Sequence, residues 1–316
     1  MLLLAAAAAI RSQVKQVTGD ELMESIADYP LGAIAGSIFL TAASFAVLAL
    51  VELFALRQAG SKSTRSISRT RGATTGFIAH ALSQSLGFAM LTGPTVRLRS
   101  YTLEDSSTVD VARVSAFVTI TVTLGLLATG GASLLAGSSS LIVAGYRVYL
   151  RWIGVVLALF LGGYLAWCSL PGTRRIGPQR WQAMRPRLRV AFAQTLISAL
   201  DWVLAASVLF VLLPEQFVTY RDFLPAFFVA QTLAMVSHVP GGLGVFETVL
   251  FALLGAGAMG VGGASAVAAL AAALVLYRFV YYLLPLLVAA AIALVAELKQ
   301  RILVDASPAL PTETGA

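Results

Sequence analysis

Residues 237–253 read SHVPGGLGVFETVLFAL. A proline and three glycines, Pro240, Gly241, Gly242 and Gly244, interrupt an apolar region, and a carboxylate, Glu247, follows among side chains that would dissolve in lipid. A helix crossing a bilayer satisfies its own peptide groups. A Pro–Gly break bares some of them and is tolerated at membrane depth only where protein or water meets them. The stretch therefore reads as a break inside the membrane, provided the rest of the chain is built for a bilayer.

The composition meets that condition. Of 316 residues 58% are hydrophobic and 12% charged, whereas soluble domains carry about 25% charged residues. Mean hydropathy is +0.85. Apolar windows at 31–56, 110–136, 146–170, 190–213 and 264–296 each reach the roughly 20 residues that a span needs. Two more are interrupted: 73–101 at Thr92, Gly93 and Pro94, and 223–258 at the glycine motif. The single cysteine, Cys168, excludes an intrachain disulfide, and two histidines, His80 and His238, are too few for a histidine metal cluster. No cofactor or metal is expected.

An isoelectric point near 9.9 raises nucleic acid as a partner. The positions of the bases argue against it. Arg57, Lys62, Arg65, Arg69 and Arg71 fall in one loop, 57–71, and Arg174, Arg175, Arg180, Arg185, Arg187 and Arg189 in another, 171–190, with no acid in either. All-basic loops between apolar segments mark the cytoplasmic side of an integral membrane protein. The partners expected are the bilayer and its lipids, not nucleic acid.

Charge parity then constrains the interrupted windows. If both basic loops are cytoplasmic, an even number of crossings separates them, yet three apolar segments, at 73–91, 110–136 and 146–170, lie between. The broken 73–101 is the one expected to enter and return. The same bookkeeping sends 190–213 outward, dips 223–258 in from outside, and brings 264–296 back with a cytoplasmic C-terminus. Each half then runs span, broken hairpin, span, in opposite orientations. Gly/Pro-interrupted segments at matching places in inverted repeats point to a transporter's central site. The expected fold is an all-α polytopic membrane protein with an inverted repeat and two broken, re-entrant helical hairpins facing each other. Its domain, 31–302, comprises repeat one at 31–136, a connector at 146–170 and repeat two at 190–296. Residues 1–30 hold an apolar run, MLLLAAAAAI, too short to cross, which reads as the end of a clipped helix or an imperfect signal segment, and a surface helix over 11–28; residues 303–316 read as a disordered tail.

Five charges stand inside or at the edges of apolar windows: Glu52, Arg97, Asp201, Glu247 and Arg278. Each costs about 2.5–3.5 kcal/mol at a helix centre, so pairing, water or a ligand must offset them. Three acids against two bases leave one negative charge unmatched. Asp201, in LISALDWVLAA, has apolar neighbours on both sides, and Arg278 stands in LVLYRFVYYLLP. The structural alternatives are plain. Asp201 or Glu247 neutralises Arg278 or Arg97 to fix packing, Glu52 is an interfacial carboxylate, and Arg97 and Arg99 snorkel to the phosphates. His238 reads as a hydrogen-bonding member of the turn rather than as a ligand. Gly241, Gly242 and Gly244 supply unusual backbone angles and close approach, and a helix restarting near Val245 would present amides that favour anions. Tyr277, Tyr281 and Tyr282 line a cavity or, the preferred reading, form an interfacial belt.

SHVPGGLGVFE, together with GFAMLTGPTVRLRSY and YRFVYYLLPL, resembles the membrane domain of the lysylphosphatidylglycerol synthetase/flippase family, the multiple peptide resistance factors, over about residues 30–302. The resemblance implies a domain that moves aminoacylated phosphatidylglycerol from the inner to the outer leaflet of a bacterial cytoplasmic membrane, contributing to resistance against cationic antimicrobial peptides. By motif, it implies intramembrane roles for Glu52, Asp201 and Arg278, with Arg97 and residues 240–247 beside them. This sequence departs from the family at Glu52, where an aspartate is more usual, and at TGPTVR, where two glycines are expected. Full-length members continue into a cytosolic aminoacyltransferase domain, and this sequence ends at Ala316. The expectation is accordingly a translocator rather than an enzyme, served by a separate synthetase and compatible with a homo-oligomer. The translocation residues are Glu52, Arg97, Asp201, Glu247, Arg278, His238, Gly241, Gly242 and Gly244. No GxxxxGK[ST] phosphate loop is present, so the drive is a gradient. Two rivals remain: an ion-coupled secondary transporter of a small solute, and a membrane scaffold recruiting a separate synthetase or glycosyltransferase through the basic loops.

Overall fold

The computed structural model describes residues 29–305, apart from 60, 87–88, 104–105, 138–140, 144–145, 149, 172–174, 177–182, 185 and 215–216. The expected segments at 1–28 lie outside the described residues, as do residues 306–316 of the tail. The chain is an all-α membrane protein. Its helices are α1 (Leu31–Gln58), α2 (Lys62–Ser66), α3 (Arg69–Leu86), α4 (Ala89–Thr102), α5 (Thr108–Ala136), α6 (Leu150–Ser169), α7 (Leu188–Leu212), α8 (Tyr220–Val236), α9 (Val245–Tyr277) and α10 (Leu284–Asp305). A 3-10 turn, Pro240–Gly242, precedes α9, and a π-helical stretch, Arg278–Leu283, joins α9 to α10. Two short antiparallel hairpins, β1 (Leu141–Val143) with β2 (Tyr146–Val148) and β3 (Arg175–Ile176) with β4 (Ala183–Met184), flank α6. The sequence window at 146–170 therefore begins four residues before its helix, with Tyr146–Val148 extended instead. At the other end α10 runs to Asp305, into the stretch read as tail.

Among the described residues, five stretches are long and apolar enough to cross a membrane: α1, α5, α6, α7 and residues 266–298 of α9 and α10. Their outer faces carry Phe39, Leu159, Phe160 and Leu196, each well over half exposed. Water would penalise such a surface at roughly 25 cal/mol per Å²; lipid tails would not. The connector α6 has the smallest buried share of the five, 11%, which places it at the rim.

Contacts between helices fix their directions. Gly36 of α1 approaches Val211 of α7, and Ser44 meets Asp201, so these two run antiparallel. Thr121 meets Gln194 and Gly125 meets Ser198, so α5 and α7 run parallel. Hence α5 starts on the side where α1 ends, and α7 starts there too: both basic loops lie on one side. The Arg99–Glu297 ion pair brings α10's last turns to the end of α4, beside the start of α5.

Helix α3 runs back along α1, Gly72 against Leu56 and Gly76 against Glu52. A Cβ at Gly76 would lie 2.6 Å from that of Glu52; glycine permits the close approach. Continued at this register, the end of α3 comes level with the middle of α1, near Ser44. Helix α4 returns antiparallel to α3, Ser83 against Gly93 and Thr75 against Ser100. The chain therefore reverses between Leu86 and Ala89 and not at Thr92–Pro94 as the sequence suggested. Pro94 instead sits inside α4, in its second turn. There it forfeits one backbone bond, to the Met90 carbonyl, in a helix that its own Arg97 pins to Glu52 of α1.

The second hairpin enters through α8, antiparallel to α5: Arg221 reaches the Ala136 carbonyl, and Gly130 faces Phe228. It turns where the sequence placed the break. Helix α9 is not straight. Residues 246 and 277 would be about 47 Å apart on a straight helix, yet their rings stack at 5.6 Å. The chain doubles back within α9, in keeping with the separate windows ending at 258 and starting at 264. Around these elements lies one large core built on Phe223, Phe227, Phe228, Leu209, Leu250 and Tyr277, and a smaller one of Val51, Ala55, Tyr101 and Val114.

Candidate functional site

The five charges fall into three clusters. In the first, Arg97 of α4 donates from Nε and Nη2 to the Glu52 carboxylate of α1, at 2.9 and 2.7 Å, and Tyr101 donates to Oε1 at 2.7 Å. Glu52 has no exposed surface and Arg97 has 4%. Tyr101 lies on the same face of α4 as Arg97, one turn on, so a single helix supplies both donors.

The second cluster closes the glycine turn. Gly241, Gly242 and Gly244 have φ of 60, 63 and 79°, and His238 has 54°. A side chain at Gly242 would also drive into Ala234, with Cβ atoms 2.7 Å apart. Such a turn leaves carbonyls without intrahelical partners, and Arg278 takes two of them. Its Nη1 donates to the Gly241 oxygen and its Nη2 to that of Gly242. Its Nε donates to Glu247 Oε1. The other oxygen of Glu247 accepts the Gly244 N–H at 2.8 Å, a back-bond from the third helical position to the start of α9. The guanidinium also lies 4.5 Å over the Tyr282 ring. Glu247 is thus the cap of its own helix and the counter-ion of Arg278. The helix N-terminus expected to receive an anion already holds this carboxylate. His238 is exposed and its Nδ1 meets the Val236 carbonyl at 2.8 Å; it is a member of the turn.

The third cluster is the unmatched charge. Asp201 of α7 is 5% exposed, and Ser44 of α1 donates to its Oδ1 at 2.6 Å. It forms no ion pair among the described residues. The Ser44 hydroxyl also meets the Tyr281 hydroxyl at 3.2 Å. Tyr281 stacks on Tyr277 with centroids 5.4 Å apart and packs edge-on against Tyr282 at 5.6 Å. A contact path therefore runs from Asp201 through Ser44, Tyr281 and Tyr282 to Arg278. The tyrosines are no interfacial belt: Tyr277 and Tyr281 are buried. Their place is the π-helical stretch and the residue before it, where widening the helix brings Arg278, Tyr281 and Tyr282 inward together.

The two hairpins also meet. A side chain at Gly241 would contact the Ser85 and Gln84 carbonyls at the end of α3. The glycine turn thus abuts the tip of the first hairpin, where the last carbonyls of α3 lack intrahelical partners. Glu52 and Arg97 stand apart from this junction; Asp201, Arg278, Glu247 and the three glycines gather around it. Sequence reading missed Ser44, Tyr101 and Gln84. Small or uncharged polar residues are unremarkable in apolar windows, and only the contact with Asp201, Glu52 or Tyr281 singles them out.

No protein-family model matches this sequence. The chain is 30% identical to slr0712 of Synechocystis sp. over 282 residues, 88% of this chain and 84% of that protein. It is 27% identical to the inner membrane protein YbhN of Escherichia coli over 277 residues, 87% of this chain and 83% of YbhN. A phosphatidylglycerol lysyltransferase of Staphylococcus xylosus is 28% identical over 221 residues, 68% of this chain but 24% of the enzyme.

Proposed function

We propose, from the premise that this chain belongs to the membrane-protein family of slr0712 and YbhN, that it translocates a polar-headed phospholipid between leaflets. The cargo we favour is an aminoacylated phosphatidylglycerol, moved from inner to outer leaflet of a bacterial cytoplasmic membrane. The observation that carries this reading is Asp201, a buried carboxylate with hydroxyl company and no cationic partner among the described residues. It costs about 2.5–3.5 kcal/mol at membrane depth, an expense a packing residue would not incur and an ammonium cargo would offset.

Several features support the architecture behind the reading. Tips of two hairpins meet halfway along α1, which suits re-entrant hairpins. Helix α8 packs on α5 while α10 packs on α3, so each repeat's first hairpin helix lies on the other repeat's last span, as an inverted repeat requires. Both basic loops and the end of α10 share one side, which the positive-inside rule makes cytoplasmic.

In the mechanism we propose, the acyl chains stay in lipid while the headgroup passes between the hairpin tips. Its phosphate displaces Glu247 from Arg278, and its ammonium groups meet Glu247 and Asp201. A headgroup of net charge +1 moving outward works against an inside-negative potential by about 2.3 kcal/mol per 100 mV. Net export then requires coupling or trapping outside. The link to aminoacyl lipid and to antimicrobial-peptide resistance rests on the lysyltransferase match and on the motifs. The test is to compare outer-leaflet lipids in cells with and without the protein. Loss of one lipid class from the outer leaflet, its total unchanged, is expected. Unchanged leaflet composition, together with uptake of a labelled solute by proteoliposomes devoid of that lipid, would replace this reading with a small-solute transporter.

A further inference from the structure

The junction of the hairpin tips contains buried polar atoms with nothing to bond. On α3 these are Gln84 Oε1 and Ser85 Oγ; on α8 it is Gln231 Oε1. Gln84 interacts with the Tyr281 hydroxyl and Gln231 with that of Tyr282. The two tyrosines are neighbours with rings 5.6 Å apart, and Tyr282 lies under the Arg278 guanidinium. Two hairpins thus bring an amide each to adjacent tyrosines, with each carbonyl end unanswered. A buried acceptor left unbonded costs about 1–3 kcal/mol, and native proteins keep few of them. Apolar residues of the same length would fill the space without that cost.

We infer that Gln84 and Gln231 form the part of the cargo site that recognises hydrogen-bond donors on the headgroup. This rests on the lipid-translocation reading and deepens it. Arg278 answers to phosphate, which every phospholipid carries, and so sorts nothing. The paired carbonyls answer only to N–H or O–H. They separate headgroups that donate, through a primary ammonium or a glycerol hydroxyl, from headgroups of equal charge that do not. Ser85 adds a hydroxyl that accepts or donates at the same junction.

The test uses the full chain in liposomes, with fluorescent-acyl phosphatidylethanolamine, phosphatidylcholine, phosphatidylglycerol and lysyl-phosphatidylglycerol as probes. Phosphatidylethanolamine and phosphatidylcholine carry the same charges, but only the first has N–H donors. Wild type should transfer the ethanolamine lipid about tenfold faster than the choline lipid, one such bond's worth. Gln84→Met with Gln231→Met should erase that ratio by slowing transfer of the ethanolamine lipid about tenfold. Its melting temperature should hold, the loss of two unbonded acceptors offsetting the lost amide contacts with Tyr281 and Tyr282. Loss of preference only among ammonium-bearing probes assigns the pair to ammonium; loss on phosphatidylglycerol as well assigns it to hydroxyls too. Wild type that transfers lipids without regard to donors, or a double variant that keeps the preference, overturns the inference and leaves translocation standing. Wild type that moves none of the four overturns the translocation reading itself.

Discussion

Where the first hairpin meets α1, an arginine of α4 and a glutamate of α1 are closed off from all but each other and a tyrosine. In the second, the same two residue types meet across a glycine turn and stay partly open. The side chains of Arg97 and Glu52 are 5% and 0% exposed; those of Arg278 and Glu247 are 15% and 24%. Glu52 takes all its bonds from side chains on α4, so the pair ties hairpin one to α1. Arg278 spends its donors on two turn carbonyls as well as on Glu247, so it ties together the ends of a break that could part again. Identical chemistry thus serves as a fixed pin at one hairpin and as a clasp at the other. Position on the hairpin makes the difference: the pin is near the base, the clasp at the tip.

The largest effect should come from breaking the pin. Arg97→Met strands the Glu52 carboxylate and should cost about 3–5 kcal/mol, seen as a lower melting temperature and yield in detergent. Glu52→Met with Arg97→Met should recover most of it. A single variant as stable as wild type would remove the distinction between pin and clasp. Gly242→Ala comes next, at about 2–3 kcal/mol, since it meets both a left-handed backbone angle and the Ala234 methyl. Ala234→Gly on that background should restore only the steric share, which a thermal melt of the double variant reads directly. Arg278→Met should cost about 1–2 kcal/mol, because Glu247 is only partly enclosed and still caps α9. A loss equal to that of Arg97→Met would make the clasp a second pin. His238→Gly should be the smallest, stabilising by less than about 1 kcal/mol as the positive φ of His238 is relieved.

Much of the fold was legible because membranes leave few options. Apolar windows gave α1, α5 and α7 to within two residues. PGGLG announced its break because three glycines at positive φ and a proline have no helical use. The first break was misplaced for the converse reason. Pro94 looked like a terminator, yet α4 absorbs it, while the change of direction between α3 and α4 comes with no Pro–Gly motif in the sequence. The five charges were visible, and their arithmetic of one acid too many is met by Asp201. Who pairs with whom was not visible: Glu52 finds Arg97 45 positions on, and Glu247 finds Arg278 31 positions on, through folding back that no local pattern encodes. The tyrosines were read as a belt because amphipathic rings favour interfaces; the π-helical widening that turns them inward has no clear mark in RFVYYL.

The account stands on Asp201 as the unpaired charge that meets the cargo. Its most direct test is the rate at which fluorescent lysyl-phosphatidylglycerol crosses proteoliposomes holding wild type or Asp201→Asn, matched in amount and melting temperature. Asparagine keeps the shape and the Ser44 contact but not the charge. A fall of tenfold or more, about 1.4 kcal/mol or beyond, with the melting temperature unchanged or higher, is the predicted result. Transfer at the wild-type rate by a folded Asp201→Asn protein would contradict it.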